Sequence, residues 1–316
     1  MSTPMKAAYF DEYGELDNIK IGELDRPEPS EGEVLVKVKA AGVNPVDAAV
    51  ARGMLDQVIP GKFPAIPGWD IAGEVVENGH SARRFKEGDQ VYAYARRPEI
   101  KHGTFAEYIA LPESYLVKTP EKLSVEESAG LPLVGLTAYQ SLFVAGELKE
   151  DQTLLILGAS GGVGSVAIQL AKHINAKVIA VASKKNHDYM KELGADVTID
   201  YNSEDLAEKV TTAAGGKVDF IFHCSRGDSL DNTKNTLKEN GTLISITNSS
   251  PDLRDDIQFQ YVFVEPNAPQ LEQLAKLADM DELKLSVFKT YTLDEAAQAL
   301  QDVESLHAQG KRVITM

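Results

Sequence analysis

Residues 153–164 read Thr-Leu-Leu-Ile-Leu-Gly-Ala-Ser-Gly-Gly-Val-Gly and run directly into an amphipathic stretch over 165–172. An apolar strand stops at a glycine cluster, and a helix begins at once. Small residues at Ala159 and Gly161 let the backbone turn tightly and come close to a phosphate. Gly164 lets the helix pack against the strand, and the unpaired N–H groups at the helix start face an anion. The candidate cofactor-binding residues of this turn are Ala159, Ser160, Gly161, Gly162, Val163 and Gly164. A plain glycine-rich turn is the competing reading. The apolar strand that follows at Lys177–Ala182 favours a dinucleotide site.

Strand–helix alternation continues through the second half of the chain. Strands are expected at Thr153–Leu157, Lys177–Ala182, Val197–Asp200, Phe220–His223, Thr242–Ile246 and Gln260–Val264. Helices are expected in the 160s–170s and over 186–193, 203–213 and 229–239. Continuously apolar strands separated by helices specify an α/β fold with a doubly wound parallel sheet, helices on both faces. Residues 5–126 read instead as mostly β, with strands at Val34–Ala40, Asp70–Glu77, Gln90–Ala95 and Phe105–Leu111. At Ser124 the period changes, with Ser124 as N-cap and Glu127 three residues on. Helices over about 268–280 and 293–307 and a strand Arg312–Met316 close the chain, and 316 residues predict two domains.

Composition removes several function classes. The net charge of −16 argues against nucleic acid and anionic membranes as partners. No segment approaches the ~18 apolar residues of a membrane-spanning helix, and Met1–Lys6 lacks an apolar signal core. One cysteine, Cys224, leaves no internal disulfide framework, so a reducing cytoplasm is the expected setting.

The second strand of a dinucleotide fold commonly ends in a carboxylate that binds the adenosine ribose 2′-OH. Here it ends in Ser183-Lys184-Lys185. A carboxylate repels a 2′-phosphate, whereas a hydroxyl and ammonium groups hold one, so NADPH is the expected cofactor. Solvated caps of the next helix are the alternative role for these residues.

Together with the glycine cluster, several motifs carry a family resemblance: Ala40-Ala41-Gly42-Val43-Asn44-Pro45-Val46-Asp47, Pro67-Gly68-Trp69-Asp70-Ile71-Ala72-Gly73, Gly88-Asp89-Gln90-Val91-Tyr92, Leu131–Tyr139 and Gly310-Lys311-Arg312-Val313-Ile314. The chain resembles the zinc-independent, quinone-oxidoreductase type of medium-chain dehydrogenase/reductase, the group of zeta-crystallin and the alkenal and enone reductases. The resemblance implies a GroES-like catalytic domain (1–126 and 282–316) and a Rossmann NADP-binding domain (127–281). It implies that Thr137 lies near the nicotinamide ribose, that Ser183, Lys184 and Tyr201 surround the 2′-phosphate, and that Lys311 is a second phosphate-side cation. A plain strand-end aromatic is the other reading of Tyr201.

Zinc-dependent relatives carry a cysteine where this chain has Asn44 and a histidine–glutamate pair where it has Trp69-Asp70. The six histidines (80, 102, 173, 187, 223, 307) show no ligand spacing, so no metal site is expected. Without zinc to polarise an alcohol, hydride transfer to an electron-poor π-system is the expected chemistry. Quinones and α,β-unsaturated carbonyls both qualify as the small-molecule acceptor. Asn44 is the candidate donor in the substrate cleft, unless it only shapes the Asn-Pro turn. Trp69 is the candidate apolar wall, with core packing as its alternative. Relatives often carry a tyrosine where this chain has Ala49, so no proton donor is named. Cys224 follows the fourth sheet strand at the edge where ligands bind, is a candidate cofactor-binding residue, and reads as either an oxidation-sensitive thiol or an inert buried one. Arg96–His102 reads as a lid or a solvated surface loop. A zinc-free carbonyl reductase and a non-catalytic NADPH-binding redox sensor are the rival functions. The apolar, aromatic run Phe259–Val264 reads as an unprotected sheet edge, hence a homodimer or dimer-based tetramer.

Overall fold

The computed structural model describes residues 3–304 and 309–316. His307 and the end of the helix expected over 293–307 lie outside the described residues. The first part of the chain is β-rich: β1 (Pro4–Tyr9), β2 (Lys20–Asp25), β3 (Glu33–Val43), α1 (Pro45–Ala51), β4 (Asp70–Asn78), β5 (Gln90–Tyr94), β6 (Tyr108–Pro112) and β7 (Val117–Lys118). Helices α2 (Val125–Gly130) and α3 (Pro132–Tyr139) lead into β8 (Thr153–Leu157), α4 (Gly162–His173), β9 (Lys177–Ala182), α5 (His187–Glu192), β10 (Val197–Asp200), α6 (Leu206–Ala214), β11 (Val218–His223), α7 (Ser229–Thr233), β12 (Leu237–Ser245), β13 (Gln258–Tyr261) and α8 (Ala268–Asp279). The chain finishes with β14 (Val287–Thr292), α9 (Ala296–Glu304) and β15 (Lys311–Thr315).

Strands β8 to β13 form a six-stranded, all-parallel sheet in the order β10-β9-β8-β11-β12-β13. Successive side chains of a strand point to opposite faces. In β8, Leu154 and Ile156 join one buried cluster, with α3, α4 and α8, while Leu155 and Leu157 join another, with α6 and α7. That double burial is why these strands read as continuously apolar. Order reverses between β9-β8 and β11, which opens a crevice at the carboxyl ends of β8 and β11.

A second, mixed sheet has the order β14-β15-β3-β4-β5-β7, with β6 also on β3. The chain's tail therefore returns to the N-terminal sheet: β15 runs antiparallel to β3, and β14 parallel to β15. The capping box at Ser124 is present, Glu127 N–H donating to Ser124 Oγ and Ser124 N–H to Glu127. The boundary expected at 126/127 falls inside α2, which packs on β3, β4 and β15.

Two elements differ from the sequence reading. The helix expected over 229–239 ends at Thr233, and strand β12 already begins at Leu237. A polar Lys-Glu-Asn segment with a left-handed Asn240 (φ 56°) hides that strand. The edge strand is Gln258–Tyr261 rather than Gln260–Val264. Its register is set by β12, and Val262 and Val264 leave the sheet to bury themselves in the larger core. Among the described residues no helix is long and apolar enough to cross a membrane.

Candidate active site

The glycine turn has the geometry of an anion cradle. Gly158 is left-handed (φ 89°), and both its N–H and that of Ala159 donate to Val181 O, tying the turn to β9. A Cβ on Gly164 would stand 2.4 Å from Gly158 O, so only glycine lets α4 approach this closely. A Cβ on Gly161 would meet nothing nearer than Gly158 O at 3.6 Å. That open space lies directly over the N-terminus of the 12-residue α4, where unpaired N–H groups and the helix dipole favour a phosphate. Ala159 and Ser160 are buried, and Gly162 and Val163 are partly accessible at the helix start. The far end of α4 has surface hollows too, around His173, but they lie away from this turn.

At the carboxyl ends of β9 and β10 the expected 2′-corner residues come together. Tyr201 N–H donates to Ala182 O beside Ser183. The Tyr201 ring is 44% exposed, and Lys184 and Lys185 are exposed, with no ion pair among the described residues. The sequence reading missed Asn186. It is buried, and its Nδ2 donates to Ser160 Oγ (2.9 Å) and Ser183 Oγ (3.3 Å), locking the glycine turn to this corner. Only its place after two lysines hinted at it.

Lys311 is placed otherwise than expected. Its methylene stem crosses the glycine turn, where a Cβ on Gly162 would meet Lys311 Cδ at 2.9 Å. Its ammonium, however, is turned inward and 4% exposed. It donates to Asn44 Oδ1 and to Val43 O (3.1 Å), and stands 3.8 Å from Asp70 Oδ2. A charge bound inside the chain does not face a phosphate.

Asn44 also departs from its expected place. It is 1% exposed and its amide is committed on both sides, Oδ1 to Lys311 and Nδ2 to Asp70 Oδ2 (2.9 Å). It is thus a node of a buried knot rather than a cleft donor. Asp70 Oδ1 accepts Leu133 N–H (2.8 Å), which pins the start of α3, and Asp47 Oδ2 accepts Asn44 N–H (2.8 Å). Burial pushes Asp47 up to about 8 and Asp70 up to about 6, the latter opposed mainly by Lys311. Burial pulls Lys311 down, against the attraction of Asp70 and Asp47.

Thr137, on α3, is buried and donates its hydroxyl to Leu133 O (2.6 Å), leaving oxygen lone pairs for a ligand. Trp69 is buried and meets Tyr94 edge-on, centroids 6.1 Å apart. Cys224 Sγ donates to Leu157 O (3.0 Å) just after β11, and burial pushes its thiol up to about 12, which disfavours the reactive thiolate. Arg96–His102 is tied down. Arg97 bonds Glu33 and Ala110 O, Glu99 pairs with Lys62, and Ile100 N–H donates to Pro60 O. Among the described residues no group of three or more His, Cys, Asp or Glu side chains is placed to hold a metal ion.

Residues 30–121 match the alcohol dehydrogenase GroES-like domain family, and residues 193–314 match the zinc-binding dehydrogenase family. A chloroplastic quinone-oxidoreductase homolog of Spinacia oleracea is 34% identical over 325 residues, covering 98% of each chain. The chain belongs to the quinone-oxidoreductase-like family of medium-chain dehydrogenases/reductases. A chloroplastic NADPH-dependent alkenal/one oxidoreductase of Arabidopsis thaliana is 34% identical, covering 98% of this chain and 79% of its own. The quinone oxidoreductase structure from Coxiella burnetii superposes with a TM-score of 0.88 at 32% identity, covering 99% of this chain and 100% of its own. This quinone-oxidoreductase-like protein is therefore an oxidoreductase with GroES-like and Rossmann parts.

Proposed function

We propose that this protein is an NADPH-dependent reductase of quinones or α,β-unsaturated carbonyls that works without catalytic zinc. The observation that carries the reading is the knot at Asn44, Asp70 and Lys311. The resemblance aligns Asn44 and Asp70 with zinc-ligand positions of zinc-dependent relatives, and here their donor atoms are already satisfied by an ammonium and an amide. The likeness to the spinach quinone-oxidoreductase homolog and the Arabidopsis NADPH-dependent alkenal/one oxidoreductase supports the acceptor class. When bound, NADPH supplies a hydride, and the acceptor gains that hydride plus one proton from water. The α4 N-terminus and the Gly161 opening hold the pyrophosphate. Ser183, Lys184 and Tyr201 hold the 2′-phosphate, and Asn186 keeps the two subsites in register. Asn44 and Asp70 act indirectly, by fixing the α3 segment that presents Thr137. Trp69 walls the acceptor side. The free edge of β13 pairs with a second copy of the chain.

The experiment is turnover with a quinone and with methyl vinyl ketone, before and after exhaustive chelation, with elemental analysis for zinc. Chelation-resistant oxidation of NADPH is expected. Stoichiometric zinc whose removal abolishes activity refutes the metal-free reading. NADPH binding with no acceptor reduced identifies a sensor instead, and reduction of simple carbonyls alone identifies a carbonyl reductase.

A further inference from the structure

Tyr94 ends β5, directly opposite Asp70 of β4. Its face of the strand is fixed by Tyr92, two residues earlier, whose hydroxyl donates to Leu271 O of α8 (2.7 Å). The phenol thus looks across the seam between the mixed sheet and the parallel-sheet half. Arg96, two residues on, lies over the ring of Phe263, which follows the carboxyl end of β13, at 5.1 Å, and the charges of Arg96 and Glu265 both act on the phenol. Tyr94 is 1% exposed, and its hydroxyl has no hydrogen-bond partner among the described residues. The Nε of Arg96 is likewise buried and unanswered. Buried polar groups are almost always paired, and an orphan donor costs about 1–3 kcal/mol. Two orphan donors in one seam, at the carboxyl edge where ligands of such sheets bind, ask for an oxygen from outside the chain.

We propose that the Tyr94 hydroxyl is the hydrogen-bond donor to the acceptor's oxygen, the atom on which negative charge develops during reduction. The choice of ligand rests on the reductase reading above. Reduction leaves a new electron pair on a quinone or enone oxygen, and a donor fixed in a dry site stabilises it strongly. Arg96 is close enough to act on the phenol electrostatically, opposed by Asp70, Asp47 and Glu265. Burial holds the phenol well above its usual range, so it donates a hydrogen bond without surrendering its proton, and the completing proton comes from water. Trp69, edge-on to the ring, fixes its orientation.

The test compares wild type with Tyr94→Phe, which keeps the ring and its contact with Trp69. The first readout is binding of p-nitrophenolate, an unreactive phenolate, to NADP+-loaded protein, followed by its absorbance. The expected result is at least tenfold weaker binding in the variant, unchanged NADPH affinity and a melting temperature that does not fall. With acceptors that turn over, kcat should drop about 100- to 1,000-fold, the usual effect of deleting one oxyanion donor. Equal p-nitrophenolate affinity in both proteins, or a kcat within twofold, overturns the proposal and leaves a structural water as the partner. Tyr94-dependent phenolate binding without turnover of any acceptor supports the donor and sinks the reductase reading instead.

Discussion

Asp47→Asn tests the electrostatics of the buried knot. Asp47 is fully buried, with Oδ2 on Asn44 N–H and Oδ1 without a partner among the described residues. Burial, reinforced by the charge of Asp70 and opposed by Lys311, pushes its carboxyl up to about 8, against ~3.9 in an unfolded chain. The folded state therefore binds the extra proton. The stability it confers is whole below pH ~4, declines as pH rises, and is gone above pH ~8. At about 1.36 kcal/mol per pH unit, wild type should lose about 4 kcal/mol between pH 5 and pH 8 from this group alone. Asparagine does not titrate. It places an amide N–H where Oδ1 had no partner, at a pH-independent cost of about 1–3 kcal/mol. The variant should thus be less stable than wild type at pH 5 and more stable at pH 8. Urea unfolding followed by the fluorescence of Trp69, the sole tryptophan and the neighbour of Asp70, reads this region directly. Parallel stability–pH curves for the two proteins would refute the reasoning.

Lys184→Ala should weaken NADPH binding by about one to two orders of magnitude, from one lost charge-assisted contact of roughly 1.5–3 kcal/mol, and leave NADH binding nearly unchanged. Fluorescence titration checks it, and equal losses for both cofactors would count against the 2′-phosphate role. Tyr261→Lys, on the exposed edge of β13, should shift a dimer toward monomer by setting two ammonium groups near the two-fold axis. Light scattering decides this, and a wild type already monomeric at micromolar concentration removes the edge-pairing proposal.

The parallel sheet was legible in the chain because its central strands are buried on both faces, which makes Leu154–Leu157 and Val178–Ala182 continuously apolar. The glycine turn was legible because its demands are local: Gly164 must lack a Cβ whatever else the chain does. The Ser124 cap is local in the same way. Strand β12 was not legible at its start, since Lys238-Glu239-Asn240 follows no apolar period, lies where the register with β11 shifts, and is held by Arg254 and Asp256 from a distant loop. The direction of Lys311 was beyond the sequence as well. A long side chain passing the glycine turn can reach a phosphate on one side or Asn44 and Asp70 on the other. Those two residues come from segments 26 apart in the chain, and Lys311 from a segment 267 beyond Asn44. Only the return of β15 to β3 brings the three into one dry volume, where an unpaired carboxylate is so costly that the ammonium must turn inward. Local periodicity fixes which elements form. The desolvation of charges, which exists only after distant segments meet, decides what the site's side chains do.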